Sequence, residues 1–486
     1  MSFYSESIRN KLKEILHSGD GFVVRGIGKS FAVSYVAGMV DIDQLNMHVL
    51  ECLTDKGPVE SIENVREWIA IGECEVMPSL HEATEKLLSG YAVVSLAGTP
   101  HILVVNVMKI PTRTPSVPTI ESTIYGPAIS FTESMELNIA LLRSYISSEN
   151  LIQESIQLAA ETNTKTNIFY MMGTETNPFI DTIRSRMKTC RFKGLIGSPM
   201  LLQLLQDNQY SLFPEMSLSE RPDVAAQALL EGKIVIFVEG NAQVIIGPNS
   251  FFDFFYSIED RYSLWGVGIF NRTLRSMAFF ISIYLTPLYV AALTFHYQMI
   301  PLTLIVPLIE SRTTIPFPPL LETLILEITI ELLREAGARL PTKVGQTMSI
   351  VGAIVVGQAA VAAGFTSNTL IMLIALAALG TFTTPNYRMG ATLRIIRFPM
   401  LIVAGTLGLP GIAFLSALII IHLLRMTSYG KPYLFPIYPP NKDGFINNML
   451  LTASSLFRFR TDLTKNNRAS FRTAARRWFS SDEKDE

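Results

Sequence analysis

The sequence predicts an α/β soluble amino-terminal domain made of two similar subdomains, followed by an all-α multi-span membrane domain. Three observations lead there. Charged residues recur every few positions through Arg275, yet none stands between Ser276 and Ile309 or between Val344 and Tyr387. The first half repeats a helix-and-hairpin pattern, and the second holds apolar stretches of spanning length. The overall charged share of 17%, against about 25% in soluble proteins, averages over these two regimes.

The opening residues 1–19 carry scattered charges and lack the apolar run of a secretory signal, which predicts that the following domain stays in the cytoplasm. Gly90 begins GYAVVSLAGTPHILVV and Gly232 begins GKIVIFVEGNAQVIIG, with Gly98 and Gly240 eight positions on. Two β-branched runs around a glycine turn read as a hairpin. Each hairpin follows a short helical pattern, PSLHEATEKLLSG or RPDVAAQALLEG, with proline at its start and glycine past its end. Further upstream, VSYVAGMV resembles IFYMMGTE. The order strand, helix, helix, hairpin therefore occurs twice, in subdomains 20–110 and 131–260, joined by a Pro- and Thr-rich linker, 111–130.

The membrane domain is placed at 261–430. About 20 apolar residues cross a hydrocarbon core of about 30 Å. Ser276–Thr294 meets that length and follows Arg261, Arg272 and Arg275, so its amino end is expected on the cytoplasmic side. Val344–Tyr387 reads as a helical hairpin of two spans with its turn at AGFTSN, and Phe398–Leu424 as a further single span that tolerates Pro410. Four spans result, with five as the alternative; the basic tail, 431–486, favours an even number. That tail carries Arg458, Arg460, Lys465, Arg468, Arg472, Arg476 and Arg477 against Asp462. Attraction to an anionic leaflet and a solvated tail both fit.

Ile300–Pro341 is helical in its second part and places Glu327, Glu331 and Glu335 at i, i+4 and i+8, on one face amid Leu326, Ile330 and Leu333. Two readings stay open: an interfacial helix with a wet face, or a re-entrant or pore-lining helix. Gly345, Ser349, Gly352, Val356, Ala359 and Ala363 form a small-residue stripe that packs helices closely, within one chain or between subunits. Gln358 beside it is either an interhelical hydrogen-bond partner or a lining group.

No phosphate-cradling loop, nucleophile elbow or His/Cys cluster occurs. The three cysteines, Cys52, Cys74 and Cys190, form no metal or disulfide pattern, and His17, His48, His81 and His101 are scattered. A net charge of -2 implies no nucleic-acid partner. Neither an enzyme, a cofactor nor a metal is expected.

The segments GPAISFTESMELNIALLR, SERPDVAAQALLEGKIVIFVEGN, SIEDRY, PFPPLLETLILEITIELLREAGARLP and IVGAIVVGQAAVAAG resemble the A subunits of the spore germination receptor family (GerA family). Where such members commonly show an Arg-Gly-Pro-Arg type run, this chain has YGPAISF. The resemblance implies a protein of the spore inner membrane that works with B and C subunits in nutrient sensing. It also implies a homo-oligomeric ring that conducts ions. The pore-lining candidates are then Glu327, Glu331, Glu335, Gly352, Val356, Gln358 and Ala359, with Gly345, Ser349 and Ala363 packing subunits together. A paralogue associated with the dipicolinate channel and a secondary transporter remain the alternatives.

Overall fold

Strand order in the soluble half repeats itself. The computed structural model describes most residues from Phe22 to Pro440. Outside it lie 1–21, 340–354, 356 and 441–486, together with 56–61, 109–117, 173–176, 190–193 and shorter stretches of the soluble half. The amino-terminal segment, Cys190, the arginine-rich part of the tail and Gly345, Ser349, Gly352 and Val356 therefore fall outside the described residues.

The first sheet contains β1 (Phe22–Ile27), β2 (Phe31–Val36), β3 (Cys74–Met77), β4 (Tyr91–Leu96) and β5 (Ile102–Asn106), in the order β1-β2-β4-β5-β3. The second contains β6 (Leu151–Leu158), β7 (Thr164–Met171), β8 (Ser217–Ser219), β9 (Ile234–Val238) and β10 (Val244–Gly247), in the order β6-β7-β9-β10-β8. Every pairing is antiparallel. Both hairpins read from the sequence are present, as β4-β5 and β9-β10. The sequence pattern missed β1 and β6 as the first strands and the short edge strands β3 and β8. Edge strands of three and four residues are too short to display a period.

Helices α1 (Ile62–Trp68), α2 (Leu80–Leu88), α3 (Met135–Tyr145), α4 (Asn177–Thr189), α5 (Ser198–Leu205) and α6 (Pro222–Leu230) cover the sheets. Gly90 and Gly232 end α2 and α6 at φ +95° and +81°, the left-handed conformation that terminates helices. In each case the glycine N–H returns to the preceding turn, at Leu87 O (3.2 Å) and Leu229 O (2.9 Å). β9 is buried throughout because both its faces are covered. Ile234, Ile236 and Val238 pack with Ile183 and Leu202 on one side; Val235 and Phe237 pack with Leu142 and Leu229 on the other. Helix α3 joins the two subdomains: Ala140 packs with Leu87 and Val93 of the first, and Ile139 and Leu142 pack in the second.

The membrane half contains α7 (Trp265–Thr294), α8 (Leu302–Glu310), α9 (Pro319–Arg339), α10 (Asn368–Phe382) and α11 (Tyr387–Arg425). Two of these are long and apolar enough to cross a membrane: α7, with a mean hydropathy of 1.7, and α11, with 2.3. Large apolar side chains such as Phe280, Leu407 and Phe414 are exposed, while Ser282, Thr286, Glu327 and Arg397 are buried. Apolar outside and polar inside is the arrangement that lipid selects. The polar break at AGFTSN is a turn, as the sequence predicts: Gly364 has φ +69° and Ser367 caps α10 through a hydrogen bond from Leu370 N, 3.2 Å.

The single span read at Phe398–Leu424 is corrected. Thr392 Oγ1 donates to Leu212 O (2.5 Å) and His422 Nε2 lies 3.1 Å from Ser211 Oγ. In a straight helix those two contact points would be about 45 Å apart, so α11 folds back on itself. The reversal is at Gly408, with φ 69° and ψ −147°, and a Cβ on Gly411 would meet Val403 Cγ1 at 2.6 Å. Gly408 ends the first arm and Pro410 opens the second, the asymmetry that normally separates two helices.

The second arm returns to the soluble half. Strands Thr427–Ser428 and Lys431–Pro432 form a small hairpin. Tyr429 and Gly430 turn it, both at positive φ. Tyr429 N donates to Asp207 Oδ2 (2.8 Å), Tyr433 Oη to Pro214 O (2.7 Å) and Phe251 N to Tyr433 O (2.8 Å). Entry through α7 and exit through α11 therefore lie on the same side of the helical half. Under this junction lies Glu215, 1% exposed, accepting from Asp207 N (2.6 Å) and Asn208 N (3.1 Å).

Two outcomes follow from these features. Gly408→Val adds a side chain where φ is positive and His296 Cε1 would stand 2.7 Å from its Cβ. It should lower stability by about 1–3 kcal/mol, read as a fall in the unfolding temperature of the detergent-solubilised protein; an unchanged temperature contradicts the hairpin. Burial raises the Glu215 carboxyl from 4.5 to about 7, and burial raises Glu121 to about 7 as well. Between those pH values the folded chain keeps protons that the unfolded chain has released. The contribution of these two groups to stability is therefore fully present below about 4.5 and falls as pH rises toward 7. Glu215→Gln should flatten part of that slope in unfolding curves measured across this window.

Candidate functional site

Helix α9 supplies a graded row of carboxylates rather than one acidic surface. Glu322, near its start, is fully enclosed: Arg312 Nη1 donates at 2.6 Å, Thr366 Oγ1 at 3.0 Å and Ser367 N at 2.9 Å. One turn further, Glu327 is 2% exposed and holds Arg397, whose Nη1 stands 3.1 and 2.9 Å from its two oxygens. The guanidinium is satisfied on every side. Its Nε donates to Ser282 O (2.7 Å), and its Nη2 to Thr381 Oγ1 (2.8 Å) and Ala377 O (3.3 Å). Thr286 Oγ1 adds a long contact of 3.4 Å to Glu327. Helices α7, α9, α10 and α11 thus meet at one ion pair.

Toward the soluble domain the row opens. Glu331 is partly exposed and pairs with Arg334 at 2.9 Å and Arg394 at 3.5 Å. Arg334 also lies over the Phe382 ring, 4.8 Å from its centroid. Glu335 is exposed and pairs with Arg339 at 2.6 Å. A solvated interfacial face therefore describes Glu335, and does not describe Glu327, whose carboxylate points into the helix bundle of its own chain.

The sequence reading assigned no cation to these carboxylates, whereas the first arm of α11 carries Arg394 and Arg397 beside α9. One signal was available: an acid among Leu326, Ile328 and Ile330 needs a compensating base, and Arg397 is followed by a long apolar run. Of the small-residue stripe, Ala359 and Ala363 are described; both are exposed, as is Gln358. Among the described residues no group of His, Cys, Asp or Glu could hold a metal ion, and Cys52 and Cys74 are free thiols.

A second charged cluster fixes the entry of α7. Asp260 of SIEDRY is buried and accepts from Arg275 Nη1 (2.6 Å), Arg275 Nη2 (2.9 Å) and Arg272 Nε (3.3 Å). In the same segment Tyr262 Oη donates to Asp223 Oδ2 (2.9 Å), and Asp223 pairs with the buried Arg221 at 2.8 Å. Arg221 Nη2 in turn donates to Pro127 O of the linker, 3.1 Å. Linker, second subdomain and first membrane helix are thereby bonded into one unit.

A family model described as Bacillus/Clostridium GerA spore germination protein matches residues 10–468. The chain belongs to the GerA family. Among relatives of this GerA-family chain, spore germination protein GerQA of Bacillus cereus is 38% identical over 452 residues, covering 92% of this chain and 90% of that one. Spore germination protein GerIA of Bacillus cereus is 39% identical over 402 residues, covering 82% of this chain and 60% of that one. The N-terminal domain of the A subunit of the Bacillus megaterium spore germinant receptor GerK3 is a solved structure that it also matches. That match has 24% identity and a TM-score of 0.39, covering 50% of this chain and 94% of the domain.

A double-mutant cycle tests the ion pair at the centre of the GerA-family membrane half. Glu327→Gln or Arg397→Met alone leaves a buried group without its partner and should cost about 3–5 kcal/mol. The double variant should cost less than the sum of the two. Additive losses of unfolding free energy in detergent would show that the two side chains do not interact.

Proposed function

We propose that this GerA-family chain is the A-type subunit of a nutrient germinant receptor, acting with B and C subunits in the inner membrane of bacterial endospores. Its amino-terminal domain faces the spore core, and copies assemble into a ring that conducts cations to start germination. The chain acts without enzymatic chemistry or a cofactor. The names of its relatives support the germination role, and the row of carboxylates supports the preference for cations.

One observation carries the ring. Gln358 is exposed beside Ala359 on the helical segment 357–362, which runs into Ala363 at the turn, about 9 Å along the helix axis from Gly364. An amide at that depth needs water or another subunit as its partner. In the assembly Gly352, Val356, Gln358 and Ala359 line the pore together with the α9 row, and Gly345, Ser349 and Ala363 pack against the neighbouring copy. Glu331 and Glu335 are the members of that row that reach solvent, although arginines pair with them too, whereas Glu327 is buried against Arg397.

The test is conduction by the full-length protein in planar bilayers. Replacing both Glu331 and Glu335 with Gln should lower cation over anion selectivity, read from reversal potentials, while Gln358→Leu should lower conductance. Wild-type selectivity and conductance in both variants would exclude this lining. Gly352→Leu should reduce the assembled mass seen by native mass measurement, and an unchanged mass would exclude packing through the small-residue stripe.

A further inference from the structure

A cavity of about 630 Å³ opens where the soluble half meets the first arm of α11. Its soluble wall includes three neutral amide side chains, Gln203, Gln206 and Gln209, and its membrane wall includes Arg388 and Thr392. Its volume lies in the range of small-ligand sites, about 300–1,000 Å³. No carboxylate is among its lining residues.

Arg388 differs from the other partly buried arginines of this half. Arg312, Arg394 and Arg397 pair with Glu322, Glu331 and Glu327, and Arg272 and Arg275 pair with Asp260. Among the described residues no acid lies within ion-pair distance of Arg388. Asp207, next in sequence to Gln206, is engaged by Arg186 and by Tyr429 N. The cavity is therefore net positive and lined by groups that both donate and accept hydrogen bonds.

Its rim is apolar and its level is defined. Tyr210 (97% exposed), Leu212 (51%) and Ile395 (50%) border it, and Thr392 in its wall bonds to Leu212 on the side where α7 enters and α11 leaves. An aromatic ring and aliphatic side chains around an unpaired guanidinium at the end of membrane helices suit the layer of lipid headgroups. A free inorganic anion would use the guanidinium and the amides but not the rim.

We infer that this cavity binds the phosphate of an anionic membrane lipid, with Arg388 as the counter-charge, the glutamines holding the polar headgroup, and Tyr210, Leu212 and Ile395 against the start of the acyl chains. Soluble and membrane halves then share one lipid at their junction, independently of whether the assembly conducts ions.

The experiment uses the full-length protein in neutral detergent, incubated with equal amounts of phosphatidylglycerol and phosphatidylcholine, with retained lipid counted by native mass spectrometry. Wild type should keep phosphatidylglycerol in preference to phosphatidylcholine. Arg388→Gln should lower that retention about tenfold, the loss of a charge-assisted contact, and Arg388→Lys should restore most of it. Arg425→Gln, at an exposed position outside the cavity, should match wild type. Should Arg388→Gln fail to fold, Ala391→Leu narrows the cavity without changing its charge and should lower retention too. Equal retention of the two lipids by wild type, or undiminished phosphatidylglycerol in the variants, would overturn the assignment. Inorganic phosphate is the control for source: protection against thermal unfolding equal to that by phosphatidylglycerol, lost in Arg388→Gln, would assign the cavity to free phosphate and remove the lipid.

Discussion

The pair between Glu327 and Arg397 is the constraint around which the membrane half is arranged. Moving two charges into an apolar interior costs several kcal/mol per ion, and their attraction repays this only when the remaining hydrogen-bonding capacity is filled. Here it is filled by Ser282 O, Ala377 O and Thr381 Oγ1, all of them on neighbouring helices. The pair is thus more a device for register than a source of net stability: if α9 slid by one turn, both charges would lose their partners. With α9 held in this way, Glu322 reaches the cap of α10 and Glu331 reaches Arg394.

That register extends to the soluble half through two attachments. At the entry, Asp260 clamps Arg272 and Arg275 on the first turns of α7. At the exit, Tyr429 and Tyr433 dock the strand after α11 onto Leu205, Asp207 and Pro214. Phe213, Phe251, Phe254 and Phe255 fill the space between, together with Leu423 and Met426. A displacement of the second subdomain would be passed to both ends of the membrane segment. For a family concerned with triggering germination this continuity is a physical route, since packed interfaces move between discrete arrangements rather than deforming smoothly.

Duplication explains how the soluble half builds so large an apolar interior. Each sheet is too short-stranded to cover itself, and each takes helices on its faces. Helix α3 serves both subdomains, because adjacent residues of one short helix, Ile139 and Ala140, face different cores. The cavity at Arg388 lies where α5 and the loop after it meet α11, and among the described residues no acid pairs with that cation.

The sequence by itself determined what depends on local pattern. The β-branched runs and the glycines at 90 and 232 specified both hairpins and the ends of α2 and α6, since only glycine adopts the left-handed φ at no steric cost. Apolar run lengths specified which half lies in lipid, and the break at AGFTSN specified its turn. The carboxylates of α9 were legible as a helical face because their spacing is a property of the helix alone. Which of them meets a cation was decided by tertiary structure, as Arg397 lies seventy residues away and is brought over by α10 and the first arm of α11. The fold-back at Gly408 was likewise hidden: a glycine and a proline inside an apolar run fit either a kinked span or two antiparallel arms. The contacts of Thr392 and His422 with adjacent residues of the soluble domain, and of Gly411 with Val403, separate the two. Pairing of charges and reversal of a membrane helix both depend on what lies across the bundle, which no local period records.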